Sequence, residues 1–189
     1  MPKFALLRQF SPEMTRAQLD GIALASMATL DSYVYRGGLE PATDDHGIRW
    51  IRSYWEPGGY FGLCLYEAPS LALLSVYQNL CNLPYLDGQE VVEMSGPLEG
   101  GETDGHSARV AVSFRLDDAG GNPEEQISRL TELGAASDAG LIRTYWSEKQ
   151  HIATALFMTS DSGRFAEQVT PLAERKPAKI VEISPEEYR

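Results

Sequence analysis

Apolar and polar positions along the chain switch between two periods, and the same order of periods occurs twice. Phe4 to Phe10 is a short apolar-rich run of strand character. Ser11-Pro12-Glu13 then reads as a helix start: a hydroxyl N-cap, a proline at the first helical position and an acid in the first turn. Met14, Leu19, Ile22, Ala23 and Leu30 continue it as a helical stripe. Arg49 to Trp55 and Tyr60 to Glu67 predict two strands joined by the turn Glu56-Pro57-Gly58-Gly59. A helix over Leu71 to Cys81 and a strand over Glu90 to Met94, which closes the unit, complete the series β-α-β-β-α-β.

The second half runs the same course. Arg109 to Leu116 predicts a strand, and Asn122-Pro123 caps a helix carrying Ile127, Leu130 and Leu133. Leu141 to Trp146 and His151 to Met158 form a hairpin, Phe165, Val169 and Leu172 mark a second helix, and Lys179 to Ser184 is the last strand. Local identity supports the parallel. Ile51-Arg52-Ser53-Tyr54-Trp55 returns as Ile142-Arg143-Thr144-Tyr145-Trp146, at an offset of 142 − 51 = 91. Leu65-Tyr66 meets Leu156-Phe157 at the same offset, Ser11-Pro12-Glu13 matches Asn122-Pro123-Glu124, Leu19 matches Leu130, and Val92-Glu93-Met94 matches Val181-Glu182-Ile183. The expected division is 1–95, a glycine- and acid-rich linker at 96–106, and 107–189. One stretch differs: Tyr33 to Gly47 stands where the second half has only Ala135 to Gly140. It reads either as a lid or binding loop or as a tolerated insertion.

A β-α-β-β-α-β unit is the ferredoxin-like arrangement, with both helices on one face of a four-stranded antiparallel sheet. The bare face needs a cover, which the second half can supply. The expected fold class is therefore α+β: two ferredoxin-like repeats forming a single-chain pseudo-dimeric α+β barrel, with a ligand cleft between the two sheets. Strand alternation places Arg52 and Tyr54 on one face with Phe61, Leu63 and Leu65. The other face holds Ser53, Gly62 and Cys64, small residues that let helices approach closely, with Thr144, Ala153 and Ala155 small at the matching places. Arg52, Tyr54, Arg143 and Tyr145 are thus expected to line the cleft. A guanidinium fork suits carboxylate or phosphate, and tyrosine adds a ring face and a hydroxyl. Glu67 and His151 complete the expected ligand-binding set. In the alternative, the arginines pair with Glu67 or Glu93 and serve the fold.

Composition narrows the partners. A net charge of −11 and a pI of about 4.7 argue against nucleic acid and anionic membranes. The chain opens Met1-Pro-Lys-Phe4 without a signal-peptide pattern, and no apolar stretch approaches the roughly 20 residues of a membrane helix. Cys64 and Cys81 lack metal spacing and read as buried free thiols of a reducing, cytoplasmic location. Of the three histidines, His46 beside Asp44 and Asp45 has ligand character, His106 lies in the linker, and His151 opens a strand. No metal site is assigned, no cofactor is specified and no covalent nucleophile stands out. A small-molecule ligand is the expected partner, and a homodimer of the two-repeat chain is admitted.

Trp50-Ile51-Arg52-Ser53-Tyr54, followed by Cys64-Leu65-Tyr66-Glu67-Ala68-Pro69 and Leu83-Pro84, resembles a family of small bacterial proteins of unknown function. One member of that family is described as nickel-binding. The resemblance covers roughly Pro2 to Met94 and implies the ferredoxin-like, dimeric-barrel fold. Family members commonly carry a histidine on the second helix before a Gly-Leu-Pro segment; here these positions are Gln78 and Asn82. The second half reads Ala155-Leu156-Phe157-Met158-Thr159-Ser160 in place of the Cys-Leu-Tyr-Glu-Ala-Pro run. Three readings of function follow: a binder of a small anionic or aromatic molecule, a metal-independent enzyme of the oxygenase, isomerase or cyclase kind, or a nickel or divalent-metal binder. A structural role with a filled cleft stands beside them.

Overall fold

A computed structural model describes residues 1–10, 15–36, 47–83, 85–98, 108–115 and 122–188. Its strands are β1 (Lys3–Gln9), β2 (Arg49–Trp55), β3 (Phe61–Glu67), β4 (Asp87–Ser95), β5 (Ala108–Arg115), β6 (Ala139–Ser147), β7 (Ile152–Thr159) and β8 (Ala178–Ile183). Its helices are α1 (Arg16–Arg36), α2 (Leu71–Leu80), α3 (Pro123–Ala136) and α4 (Ser162–Val169). The chain is α+β, built as two successive β-α-β-β-α-β series with the described strand pairs antiparallel, the class that the sequence pattern indicates.

Helix ends follow local chemistry. At α1, Thr15 and Gln18 form a capping box: Gln18 N–H donates to Thr15 Oγ1 at 3.3 Å, and Thr15 N–H to Gln18 Oε1 at 2.9 Å. The start expected at Ser11-Pro12-Glu13 falls outside the described residues, as do Asp44, Asp45, His46 and His106. Asn122 caps α3 as anticipated, accepting from Glu125 N–H at 2.8 Å with Pro123 at the first position. At α4 the helical stripe ends early. Phe165 and Val169 are buried, but Thr170–Leu172 tightens into a 3-10 turn at Pro171, which leaves Leu172 exposed.

The chain forms two compact units, Met1–Glu90 with Val181–Arg189, and Val91–Ile180. In the first, β3 is flanked by β1 (Lys3↔Glu67 through Gln9↔Phe61) and β2, and β2 is flanked by the end of β8 (Ser53↔Ile183, Tyr54↔Glu182, Trp55↔Val181). In the second, β7 is flanked by β5 and β6, β5 by the start of β8, and β6 by β4 (Val92↔Trp146, Glu93↔Tyr145, Met94↔Thr144). The strand expected to close the first series therefore pairs along Val92–Ser95 with β6 of the second series, and the last strand of the second series ends on β2 of the first. The two pairings have the same register. Each covers a row of backbone groups that would otherwise be an open sheet edge. Part of the expected linker joins this pairing, since Gly96 and Leu98 N–H donate to Ile142 and Leu141 carbonyls at 2.6 and 3.1 Å. A side chain at Gly96 would stand 2.3 Å from the Leu141 oxygen, so only glycine fits there.

Each unit has its own helix-side core. Phe4, Leu6, Trp50, Trp55 and Tyr66 pack with Leu19 and Ala23 of α1 and Leu74 and Tyr77 of α2. Val110, Val112, Phe114, Ala155 and Phe157 pack with Leu130 of α3 and Phe165 and Val169 of α4. A β-bulge interrupts each hairpin at an equivalent place: Ile51 between Trp50↔Tyr66 and Arg52↔Leu65, and Ile142 between Leu141↔Phe157 and Arg143↔Leu156. The extra residue shifts the pleat. Trp50 thereby joins the helix-side core while Arg52, two residues on, pairs with Leu65 on the other face.

Candidate functional site

The pleat and the two bulges produce matching polar groups, one in each unit. In the first, Arg52 Nη1 lies 3.7 Å from Glu182 Oε1, and Tyr54 stands opposite Glu182 in the ladder. In the second, Arg143 Nε lies 3.4 Å from Glu93 Oε1, and the Tyr145 hydroxyl donates to the same oxygen at 3.4 Å. Each expected Arg-Tyr pair thus has a carboxylate of the exchanged strand beside it. Exposure separates them. The Arg143 and Glu93 side chains are 10% and 13% exposed, whereas Arg52 and Glu182 are 22% and 30% exposed. The Arg52 pair borders a hollow of about 410 Å³, bounded by Arg49, Trp50, Ile51, Arg52, Glu182 and the segment Ser184–Glu186.

The other expected ligand residues lie elsewhere. Glu67 pairs with Arg49, accepting from Nη2 at 2.7 Å and Nε at 2.9 Å across the β2–β3 ladder. His151 is an exposed turn residue just before β7, with left-handed backbone (φ +53°), and so does not open the strand as expected. Cys64 and Cys81 are free thiols, half-buried where full burial was expected.

Small residues on the helix side do not draw α1 tightly onto the sheet. Ser53, Gly62 and Cys64 instead line a cavity of about 40 Å³, together with Phe10, Leu19, Ile22, Ala23, Ser26, Trp50, Trp55 and Arg8. The physical reason is the bulk around them: the Phe10 ring already fills the place of a Gly62 side chain, and the Trp50 and Trp55 rings stand in the same core. Arg8 is 4% exposed. Its Nε donates to Cys64 Sγ at 3.1 Å, its Nη1 to the Leu83 carbonyl at 2.8 Å, and its Nη2 to Gln78 Oε1. Burial by itself would lower the Arg8 pKa, but the neighbouring Cys64 and Tyr66 groups outweigh it and the net shift is upward. Arg8 is therefore a permanent buried cation. Burial also pushes the Tyr66 and Tyr77 hydroxyls above the ordinary tyrosine range. Tyr77 donates to the Ser26 carbonyl at 3.0 Å and shares a 2.5 Å hydrogen bond with the Ser26 hydroxyl.

Sequence reading passed over Arg8, although a signal was present: it is the one charged position inside an apolar strand, Phe4-Ala5-Leu6-Leu7-Arg8. The nickel implied by family resemblance does not suit these residues. Gln78 occupies the histidine position, and its carbonyl oxygen accepts from the Arg8 guanidinium, so a metal ion there would meet a fixed positive charge. Among the described residues no group of three or more His, Cys, Asp or Glu side chains is placed to hold a metal. No described helix is long and apolar enough to cross a membrane.

No family model and no curated protein sequence matches the chain. Solved structures similar to it include a candidate monooxygenase from Fusobacterium nucleatum (9% identity, 97% of this chain and 94% of that one, TM-score 0.43). An anthrone oxidase-like protein matches at 11% identity over 97% and 93% of the two chains, with TM-score 0.41. A candidate chlorite dismutase matches at 10% identity over 96% and 95%, with TM-score 0.39.

Proposed function

We propose that the chain is a small-molecule-binding protein and that its ligand is a small organic carboxylate held at the Arg52 hollow. The observation that supports this reading is the contrast between two equivalent ion pairs: the Arg143–Glu93 pair is buried, while the Arg52–Glu182 pair is half-buried and borders a hollow of about 410 Å³. That volume lies within the range of small-ligand sites, roughly 300–1,000 Å³. Arg52 offers a planar fork to a carboxylate, and Arg49, already oriented by Glu67, adds a second guanidinium at the rim. Glu182, Glu186 and the Ser184 hydroxyl would accept from an amino or hydroxyl group on the same ligand. In this reading Tyr54 backs Glu182, while Arg143, Tyr145 and Glu93 hold the second unit together.

A screen of small carboxylates by ligand-observed saturation-transfer NMR tests it. Carboxylates bearing an amino or hydroxyl group should receive saturation from the wild type and from Arg143→Lys, and lose it with Arg52→Ala. Binding that survives Arg52→Ala, or a preference for cations or uncharged molecules, would contradict the reading.

A further inference from the structure

The first unit contains a second polar feature, on the opposite face of its sheet from Arg52, and the second unit has apolar residues at the places of Arg8, Cys64, Tyr66 and Gln78. Arg8 pairs with Gly62 in the β1–β3 ladder, and Phe114 pairs with Ala153 in the β5–β7 ladder. Gly62 and Ala153 are related by the repeat offset (153 − 62 = 91), so Arg8 and Phe114 occupy the same place. Its neighbours change in step. Cys64, Tyr66 and Gln78 correspond to Ala155, Phe157 and Val169, since 155 − 64, 157 − 66 and 169 − 78 are each 91. Phe114, Ala155, Phe157 and Val169 form one continuous apolar core. The fold therefore closes this layer with hydrocarbon alone. A buried guanidinium carries a desolvation cost that such packing avoids.

The groups around Arg8 also leave a donor over. The indole N–H groups of Trp55 and of its counterpart Trp146 are both buried without an acceptor, and Trp55 lines the cavity beside Arg8. Gln78, whose oxygen is taken by Arg8, stands outside the cavity lining. Orphan buried polar groups are rare in folded proteins and commonly mark an unseen water or ion. Here the Trp55 donor lines the cavity together with the Arg8 cation, so an acceptor carrying negative charge fits the place better than water does. The cavity of about 40 Å³ has room for about three water-sized groups. Its remaining walls are mainly aromatic and aliphatic: Phe10, Leu19, Ile22, Ala23, Trp50 and Leu83.

We infer that this cavity is a second site, distinct from the Arg52 hollow, which binds a compact monovalent anion of three or four heavy atoms, such as formate or acetate, on Arg8 and Trp55. The ligand's charge meets the guanidinium, and the C–H of formate or the methyl group of acetate meets the apolar wall. Burial makes the interaction strong per contact, because the low local dielectric reduces screening.

Thermal melts followed by circular dichroism test the site, with formate, acetate, chloride and benzoate compared at constant ionic strength against sulfate. A ligand that binds only the folded state raises Tm in proportion to the logarithm of its concentration once the site fills. The wild type should show this rise with formate or acetate and not with benzoate, which is too large. Chloride in place of the carboxylates would assign the same site to a halide. Arg8→Met should melt cooperatively and lose the rise, Arg52→Ala should keep it, and Trp55→Phe should need about tenfold more anion for the same rise, the value of one hydrogen bond to a charged group. If Arg8→Met does not fold, Trp55→Phe decides. A Tm that responds to all salts alike, or a response unchanged in Trp55→Phe and Arg8→Met, would overturn the inference.

Discussion

Tyr145 stands directly opposite Glu93 in the β4–β6 ladder and donates its hydroxyl to Glu93 Oε1 at 3.4 Å. Tyr54 stands opposite Glu182 in the same register on the other exchanged strand, and each carboxylate also meets an arginine that follows a β-bulge. The two units thus share a framework but use it differently. One set is closed and holds the sheet, whereas the other borders a hollow.

The closed pair should matter more to stability than the open one. Arg143→Ala leaves Glu93 buried beside Tyr145 without its guanidinium, and we expect a loss of about 3–5 kcal/mol in urea unfolding. Arg52→Ala removes a half-exposed pair at 3.7 Å and should cost under about 1 kcal/mol. Equal losses would show that the difference in burial does not govern the energetics.

The helix-side core of the first unit should tolerate conversion toward that of the second. Arg8→Met combined with Gln78→Val replaces a buried polar pair with the kind of side chains found at Phe114 and Val169. Such exchanges are often neutral or stabilising by about 1–4 kcal/mol. A urea midpoint equal to or above that of the wild type is expected; a large fall would mean that Arg8 is required by the fold.

Two helix glycines should respond oppositely to alanine. Gly21 on α1 has nothing within 4 Å of an added Cβ, so Gly21→Ala should stabilise by about 0.5–1 kcal/mol through helix propensity. At Gly134 on α3 the Cβ would stand 2.7 Å from the Ala139 carbonyl oxygen and 3.1 Å from the Phe157 ring. Gly134→Ala should therefore destabilise by about 1–3 kcal/mol. Thermal melts of the two variants should move in opposite directions.

The order of elements was readable because it rests on local signals: alternation in the strands, Asn122-Pro123 at α3, and the Glu56-Pro57-Gly58-Gly59 turn. Strand exchange was not readable. Val92-Glu93-Met94 and Val181-Glu182-Ile183 have the same pattern, so either could pair with either hairpin, and no local residue chooses between them. The bulges at Ile51 and Ile142 were also hidden, since Trp50-Ile51 and Leu141-Ile142 are apolar pairs in which a slip of the pleat shows only once the partner strand is known. Arg52 and Arg143 could be singled out by their matching surroundings, whereas their glutamate partners and their different exposure depend on distant chain. Arg8 was overlooked because a single charge in a strand reads as a solvent-facing position until the register sets it against Gly62.

Stability should fall on the alkaline side of pH 10. Tyr66 and Tyr77 have folded pKa values raised by burial above the ordinary 10.0. Below that value both folded and unfolded chains keep these protons, and the tyrosines' contribution is fully present. Above it the unfolded chain releases protons that the folded chain holds, so unfolding becomes easier as pH rises. Urea midpoints measured on either side of pH 10 should drop, and the drop should be smaller in Tyr77→Phe. A midpoint independent of pH across that range would contradict the assignment.

The most direct test of the proposed function is the location of binding, read by amide chemical-shift mapping during titration with a hydroxy- or amino-carboxylate. The account predicts saturable shifts confined to the residues around the hollow, Arg49 to Arg52 and Glu182 to Glu186. Shifts centred instead on Arg143, Tyr145 and Glu93, or absent from both groups, would contradict it.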